Sequence, residues 1–247
     1  MRYSKSPVLA LAVVVGLLPL GCSSGDDDSG SNTNQEKLAL TSPSFQAGQP
    51  LPYDFTCNGK AFGDGSSPEL DWSHEPSGTK SYAILLKDLT IESGESAADM
   101  NPEHPFHWTI WNIPGSQHQL PAGLSKDQSP MWGAQQQNGG PPFIANAPYG
   151  YFGPCPNLSA AGMGLAKENH NDEFILYAFS EATLTPPAYD PGTDPMAPLN
   201  PVRQLATFFE SNPSLLGKTE LKFTSDAEPA TCPGFPNPPF TCAPASM

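Results

Sequence analysis

The sequence predicts a mainly β protein: an antiparallel β-sandwich with one C-terminal helix and long Pro/Gly-rich loops. Three observations predict it. Thirty prolines and 22 glycines in 247 residues break the chain into short segments. The apolar segments between these breaks are short, β-branched and aromatic, as strands are. Only one segment combines helical periodicity with start and stop signals.

Taken in order, Ser81 to Lys87 (SYAILLK), His107 to Ile113 (HWTIWNI), Glu173 to Phe179 (EFILYAF) and Thr219 to Thr224 (TELKFT) read as strands bounded by Pro, Gly, Ser or Asp. HWTIWNI and TELKFT alternate, whereas SYAILLK and EFILYAF are apolar on both faces and belong in the middle of a sheet. The helix is PVRQLATFFES. Val202, Leu205, Ala206 and Phe209 form one stripe, Asn200 stands at the cap, Pro201 in the first turn, and Asn212-Pro213 ends it. No fixed-period repeat is visible.

The N-terminus carries Arg2 and Lys5, an apolar run from Val8 to Leu18, then Pro19-Leu20-Gly21-Cys22. A basic start, a short apolar stretch and a small residue before the processing point make an export signal, and the run is too short to span a bilayer. Its end resembles the lipobox of bacterial lipoproteins, with Pro19 where Leu is usual, and implies lipidation of Cys22. SSGDDDSGSNTNQ then reads as a polar tether. The expected organisation is a signal over residues 1–21, a tether over 22–37 and one folded domain over 38–247, ending in a cysteine-stapled tail. Such a protein faces the cell envelope, held to a membrane by its lipid. Without the signal, nine basic side chains face 25 acidic ones, a net charge of −16. That balance excludes nucleic acid as a natural partner and leaves membrane attachment to the lipid.

With Cys22 lipidated, Cys57, Cys155, Cys232 and Cys242 form an even set in an oxidising compartment. Three pairings exist. Cys232 and Cys242 flank a proline-rich loop that their pairing would staple, and Cys57 with Cys155 follows. No zinc-knuckle spacing competes.

Familiar catalytic signatures are absent. Gly217-Lys218-Thr219 lacks the earlier phosphate-loop glycine, since Asn212 stands there, and it leads into a strand. No G-x-S-x-G elbow occurs. Asp26 to Asp28 lack the calcium-loop glycine. His104 and His107 invite a metal, but Pro105 denies them a helix, and residues three apart on an extended segment face opposite ways. The sequence therefore sets His107 at a cavity, His104 in the preceding loop, and no metal or cofactor.

Ser42-Pro43-Ser44-Phe45, Thr56-Cys57-Asn58-Gly59, Ser67-Pro68-Glu69-Leu70-Asp71-Trp72, Pro76-Ser77-Gly78-Thr79 and Asp88 form an ordered set with His107-Trp108, Trp111-Asn112-Ile113-Pro114, Leu120-Pro121-Ala122-Gly123, Gly150-Tyr151-Phe152-Gly153-Pro154-Cys155-Pro156 and His170. This set resembles the phosphatidylethanolamine-binding protein family, most closely its bacterial Raf-kinase-inhibitor-like branch, over about residues 39 to 224. The resemblance implies an antiparallel β-sandwich with a small pocket for phosphate-like groups and phospholipid head groups. It assigns Asp88, His107 and His170 to that pocket, with Tyr151, Gly153, Pro154 and Cys155 in the loop at its mouth. Imidazoles and loop N–H groups donate to anion oxygens, and a carboxylate orients an imidazole.

The departures are specific. The family's D-P-D-A-P loop reads Asp88-Leu89-Thr90-Ile91-Glu92, and its H-R-Y triplet reads His170-Asn171-Asp172. An arginine and a tyrosine are lost and an acid is gained, which weakens the case for phosphate. About ten extra residues (LSAAGMGLAK, Leu158 to Lys167) precede His170. The resulting expectation is a non-catalytic protein that binds a small anionic or polar ligand. The alternative is a module that binds an envelope protein through rim aromatics such as Tyr149, Tyr151 and Phe152. A hydrolase pairing Asp88 with His107 or His170 ranks last, because no nucleophile stands beside them.

Overall fold

The computed structural model describes residues 36–57, 65–96, 99, 101–140, 149–155, 169–193 and 199–225. Cys22, Pro156, the extra segment before His170 and the Cys232–Cys242 pair lie outside them, as do the signal and nearly all of the tether. Among the described residues, no helix is long and apolar enough to cross a membrane.

Among the described residues, eight strands form two antiparallel sheets. β1 (Ala39–Thr41), β2 (Leu70–Ser73) and β5 (Gln119–Leu120) make a three-stranded sheet in the order β1-β2-β5. β3 (Ser81–Asp88), β4 (Phe106–Pro114), β6 (Gln135–Asn138), β7 (Asn171–Phe179) and β8 (Leu215–Thr224) make a five-stranded sheet in the order β6-β4-β3-β7-β8. A one-turn helix α1 (Leu89–Glu92) follows β3, and α2 spans Pro201–Ser211.

The two faces of the large sheet explain its apolar central strands. Tyr82, Ile84 and Leu86 of β3 and Phe174 and Leu176 of β7 point between the sheets, where they meet Leu40, Leu70, Trp72 and Leu120. The alternate residues Ala83, Leu85, Ile175, Tyr177 and Phe179 point the other way and are covered by Val202, Ala206 and Phe209 of α2. Both sides of β3 and β7 are therefore buried, so hydrophobic alternation is absent from their sequences.

α2 starts where the cap signal sets it. Asn200 Oδ1 accepts from the N–H groups of Val202 and Arg203 at 2.8 and 3.3 Å. Its Nδ2 points among the carbonyls of Glu103, Phe106 and Gly139, at 2.7, 3.0 and 2.9 Å. One buried side chain thus ties the helix to β4 and β6. Asn200→Ala is expected to cost about 2–3 kcal/mol, a lost cap plus orphaned acceptors. Denaturant unfolding measures it, and a loss under about 0.5 kcal/mol would contradict this account.

β6 (QQQN) has no strand-like composition. It is held by Gln136, which accepts from Trp108 Nε1 at 3.0 Å and donates to the carbonyls of Ser125 and Asp127 at 2.7 and 2.6 Å. At the other margin, β8 exposes Leu216, Lys218, Glu220 and Lys222. Its outer side is partly covered by segment 48–51, where Gly48 N–H donates to Lys222 O and Leu51 N–H to Thr224 O, both at 2.7 Å.

Candidate functional site

Four polar side chains converge at one end of the large sheet. Asp88 ends β3 and Asp172 enters β7, and the ladder makes the two direct partners. Side-chain direction alternates along a strand. Asp88 therefore shares the inner face with Leu86, and Asp172 with Phe174. His170 immediately precedes β7, and its carbonyl accepts from Ser225 N–H beyond the end of β8 at 3.0 Å.

His107 arrives by a bulge. The β3–β4 register runs Leu86↔Trp108 and then Lys87↔Phe106, so His107 is the extra residue. A bulge bends the strand and redirects a side chain that simple alternation would place elsewhere. His107 is 6% exposed, and Phe152 stacks on it with ring centroids 5.7 Å apart and planes 16° apart.

Each oxygen of the Asp88 carboxylate has one partner. Its Oδ1 accepts from Ile91 N–H at 2.9 Å, which starts α1. Its Oδ2 lies 2.6 Å from His170 Nδ1, and both side chains are only 2% exposed. Asp88 is thus both a cap and the orienting partner of His170.

Asp172 and His107 are the reverse. Neither oxygen of Asp172 and neither ring nitrogen of His107 has a hydrogen-bond partner, although both residues are buried. Ligand atoms of Asp88, His107 and Asp172 all lie within 4.8 Å of one another. Burial, then the charge of Asp88, holds the Asp172 carboxyl well above the usual carboxylate range. Ser225 lies close enough to offset a little of this, yet its hydroxyl reaches no hydrogen-bond geometry. Burial lowers His107 to about 4, against an opposing pull from Asp88, so its ring is neutral near pH 7. Lys87, next in sequence to Asp88, is turned away to Glu92 and Glu173 at 3.0 and 3.3 Å.

Of the residues the sequence singled out, Asp88, His107 and His170 come together here. His104 does not: its Nδ1 sits 2.5 Å from Asp99 Oδ2 and its Nε2 3.1 Å from Asn101 Nδ2. The loop residues act by positioning. Tyr151 Oη donates to Phe55 O at 2.9 Å, and its ring meets Trp108 edge-on at 5.5 Å. Gly153 passes so near Phe55 that a Cβ there would sit 2.3 Å from the carbonyl oxygen. Pro154 O accepts from Cys57 N–H at 3.1 Å, and Cys57 and Cys155 are joined by a disulfide. The expectation of a rim of exposed aromatics is corrected for two residues. Tyr151 is 1% and Phe152 4% exposed, because the disulfide and the glycine approach press the loop onto the sheet end.

Asp172 is the member that sequence reasoning left out. Its signal was its spacing of two from Phe174, which sets it on the inner face of a strand that sequence alone marks as central. A shallow cavity of about 390 Å³ opens nearby, lined by Leu89, Thr90, Ser93, Asn171 and Lys222. The unpartnered polar atoms of Asp172 and His107 lie in the buried cluster and not along that groove.

Comparison with known proteins gives one concordant answer. The sequence profile described as "Phosphatidylethanolamine-binding protein" matches residues 41–208. A Mycobacterium tuberculosis protein named as the lipoprotein LppC is 31% identical over 153 residues, covering 62% of this chain and 60% of that protein. The chain thus spans less than two thirds of that relative. The crystal structure of Escherichia coli YbcL, described as a member of the mammalian PEBP family, superposes with a TM-score of 0.53 at 22% identity. It covers 78% of this chain and 99% of that one. A PEBP homolog from Chlamydia trachomatis gives 0.50 at 22% identity, with the same coverage. Identities this low speak for the fold alone.

Proposed function

Because this chain belongs to the phosphatidylethanolamine-binding protein family, we propose that it is a non-catalytic envelope lipoprotein that binds a small polar or anionic ligand at the Asp88–His107–His170–Asp172 cluster. The ligand class is phosphate or a phospholipid head group. The observation that carries the reading is His107, a buried imidazole with two unpaired ring nitrogens facing two carboxylates. Leaving such groups unpaired costs about 1–3 kcal/mol each, a cost that a polar ligand removes. Within the family, the ordered motifs from Ser42 to His170 favour the bacterial Raf-kinase-inhibitor-like branch. The lipobox-like Cys22 and the similarity to LppC support lipid anchoring at the periplasmic face or cell surface.

Calorimetric titration of the chain with phosphate and with phosphoethanolamine tests this. Saturable binding is expected, at least about tenfold weaker in His107→Ala, because one neutral hydrogen bond contributes about 1.4 kcal/mol here. Equal binding by the variant, or no heat at millimolar ligand, would refute the pocket as assigned. Captured envelope proteins with a silent pocket would favour the protein-interaction reading instead.

A further inference from the structure

Building on that pocket, we propose that Asp88, His107 and Asp172 form a site for a divalent transition-metal cation of the zinc class, with His170 as the positioning residue for Asp88. The case begins with charge. Two carboxylates are paired directly across the ladder, inside a region where Lys87 is committed to Glu92 and Glu173. Among the described residues, the groups facing this point are Asp88 from β3, His107 from the β4 bulge, His170 just before β7, Asp172 from β7 and Ser225 beyond β8. None carries a fixed positive charge. Buried charge is retained when it is paired or holds a metal.

The second observation is independent of the charge count. Four donor atoms, both oxygens of Asp172 and both ring nitrogens of His107, are buried without a hydrogen-bond partner. Each of the three residues offers one atom within 4.8 Å of the others. A tetrahedral ion with bonds near 2.1 Å needs its ligands roughly 3.4 Å apart, so modest side-chain rotation closes the set. One imidazole and two carboxylates suit zinc-class ions better than magnesium or calcium, which prefer oxygen throughout. The Asp88 carboxylate is already oriented from behind by His170 and Ile91 N–H, as ligating groups are in metal sites. Three protein ligands leave a fourth position, where a water or an oxygen of an anionic ligand can bind. The cation thereby supplies the positive charge that the lost family arginine does not.

The test uses the full-length chain in detergent, stripped with chelator and then titrated calorimetrically with zinc, and separately with magnesium and calcium. One equivalent of zinc is expected to bind, with magnesium and calcium at least 100-fold weaker. Asp172→Asn is expected to weaken zinc by 100-fold or more while still melting cooperatively. His170→Gln is expected to weaken it about 10- to 100-fold. Zinc bound equally by wild type and Asp172→Asn overturns the assignment, because the ion then sits elsewhere. Phosphate titrations of stripped and zinc-loaded chains separate the two proposals. Phosphate binding that is sensitive to His107→Ala, with no zinc binding, overturns the cation site and leaves the pocket standing. Silence towards both overturns both.

Discussion

Replacing Cys57 and Cys155 together by serine is expected to lower the stability of the oxidised domain by about 4 kcal/mol. The disulfide closes a loop of 98 residues with a Cα–Cα span of 5.4 Å. Loop-closure entropy alone contributes about 4.7 kcal/mol for a loop near 100 residues, and native disulfides removed from exported domains typically cost about 2–5. Cys57 is fully buried, so serine also sets a hydroxyl where sulfur packed. The damage reaches the buried cluster around His107. The bridged segment carries Tyr151 against Trp108 and Phe152 against His107, held otherwise by the Tyr151–Phe55 and Cys57–Pro154 hydrogen bonds. Urea unfolding with and without reductant checks the magnitude: the wild type should fall to the level of the double variant when reduced. A difference below 1 kcal/mol would mean that the loop is held by its packing alone.

Asp172→Asn is expected to stabilise the metal-free domain, by about 2 kcal/mol at pH 7. In a domain of this size that raises the melting temperature by roughly 5 °C. The sign follows from linkage. Asp172 titrates in the folded state above its unfolded value, pushed by burial and by Asp88. The folded state therefore holds the proton more tightly, and stability falls as pH rises through that window. Asparagine carries no charge to desolvate, and its Nδ2 presents a donor to the Asp88 carboxylate. The gap between variant and wild type should widen as pH rises and close as pH falls below about 4, where Asp172 takes up its proton in the folded and unfolded states alike. His107 works in the opposite direction. Its folded value of about 4 lies below the usual 6.5, so stability present above pH 6.5 is lost as pH falls towards 4. That contribution, up to about 3 kcal/mol, should stand out in Asp172→Asn as an acid-side decline. Thermal melts from pH 4 to 8 in chelating buffer separate the two. A variant less stable than wild type at pH 7 would show that Asp172 has a partner that steadies its charge.

The sandwich was legible because its centre is written in local residues. SYAILLK and EFILYAF are apolar on both faces, and the structure uses both faces, one against the small sheet and one against α2. The helix was legible from the stripe Val202, Leu205, Ala206 and Phe209 set between Asn200-Pro201 and Asn212-Pro213, since periodicity and capping are local. β6 was not, because QQQN becomes a strand only through Gln136, whose partners Trp108, Ser125 and Asp127 are distant or irregular. β8 begins at Leu215, four residues before TELKFT, since Gly217 interrupts the pattern. At the site, Asp88, His107 and His170 were marked by motif order. What no local pattern states is the ladder register that faces Asp88 with Asp172, or the bulge that turns His107 inward. Both depend on pairings between segments far apart in sequence. The exposure of Tyr151 and Phe152 was misjudged for the same reason: the residues that bury them belong to other parts of the chain.

The margins of the large sheet bear on how copies of this protein behave when crowded. A free strand edge is a template for a second molecule to add to, and proteins discourage this with short strands, charge and covering segments. One margin here is β6, four residues long. The other, β8, is long, but Lys218, Glu220 and Lys222 punctuate its exposed positions, and segment 48–51 occupies its far end. Lipid anchoring would confine copies to a plane, where encounters are frequent and orientations shared. Under that confinement, blunt margins disfavour aggregation by lateral strand addition between neighbouring copies.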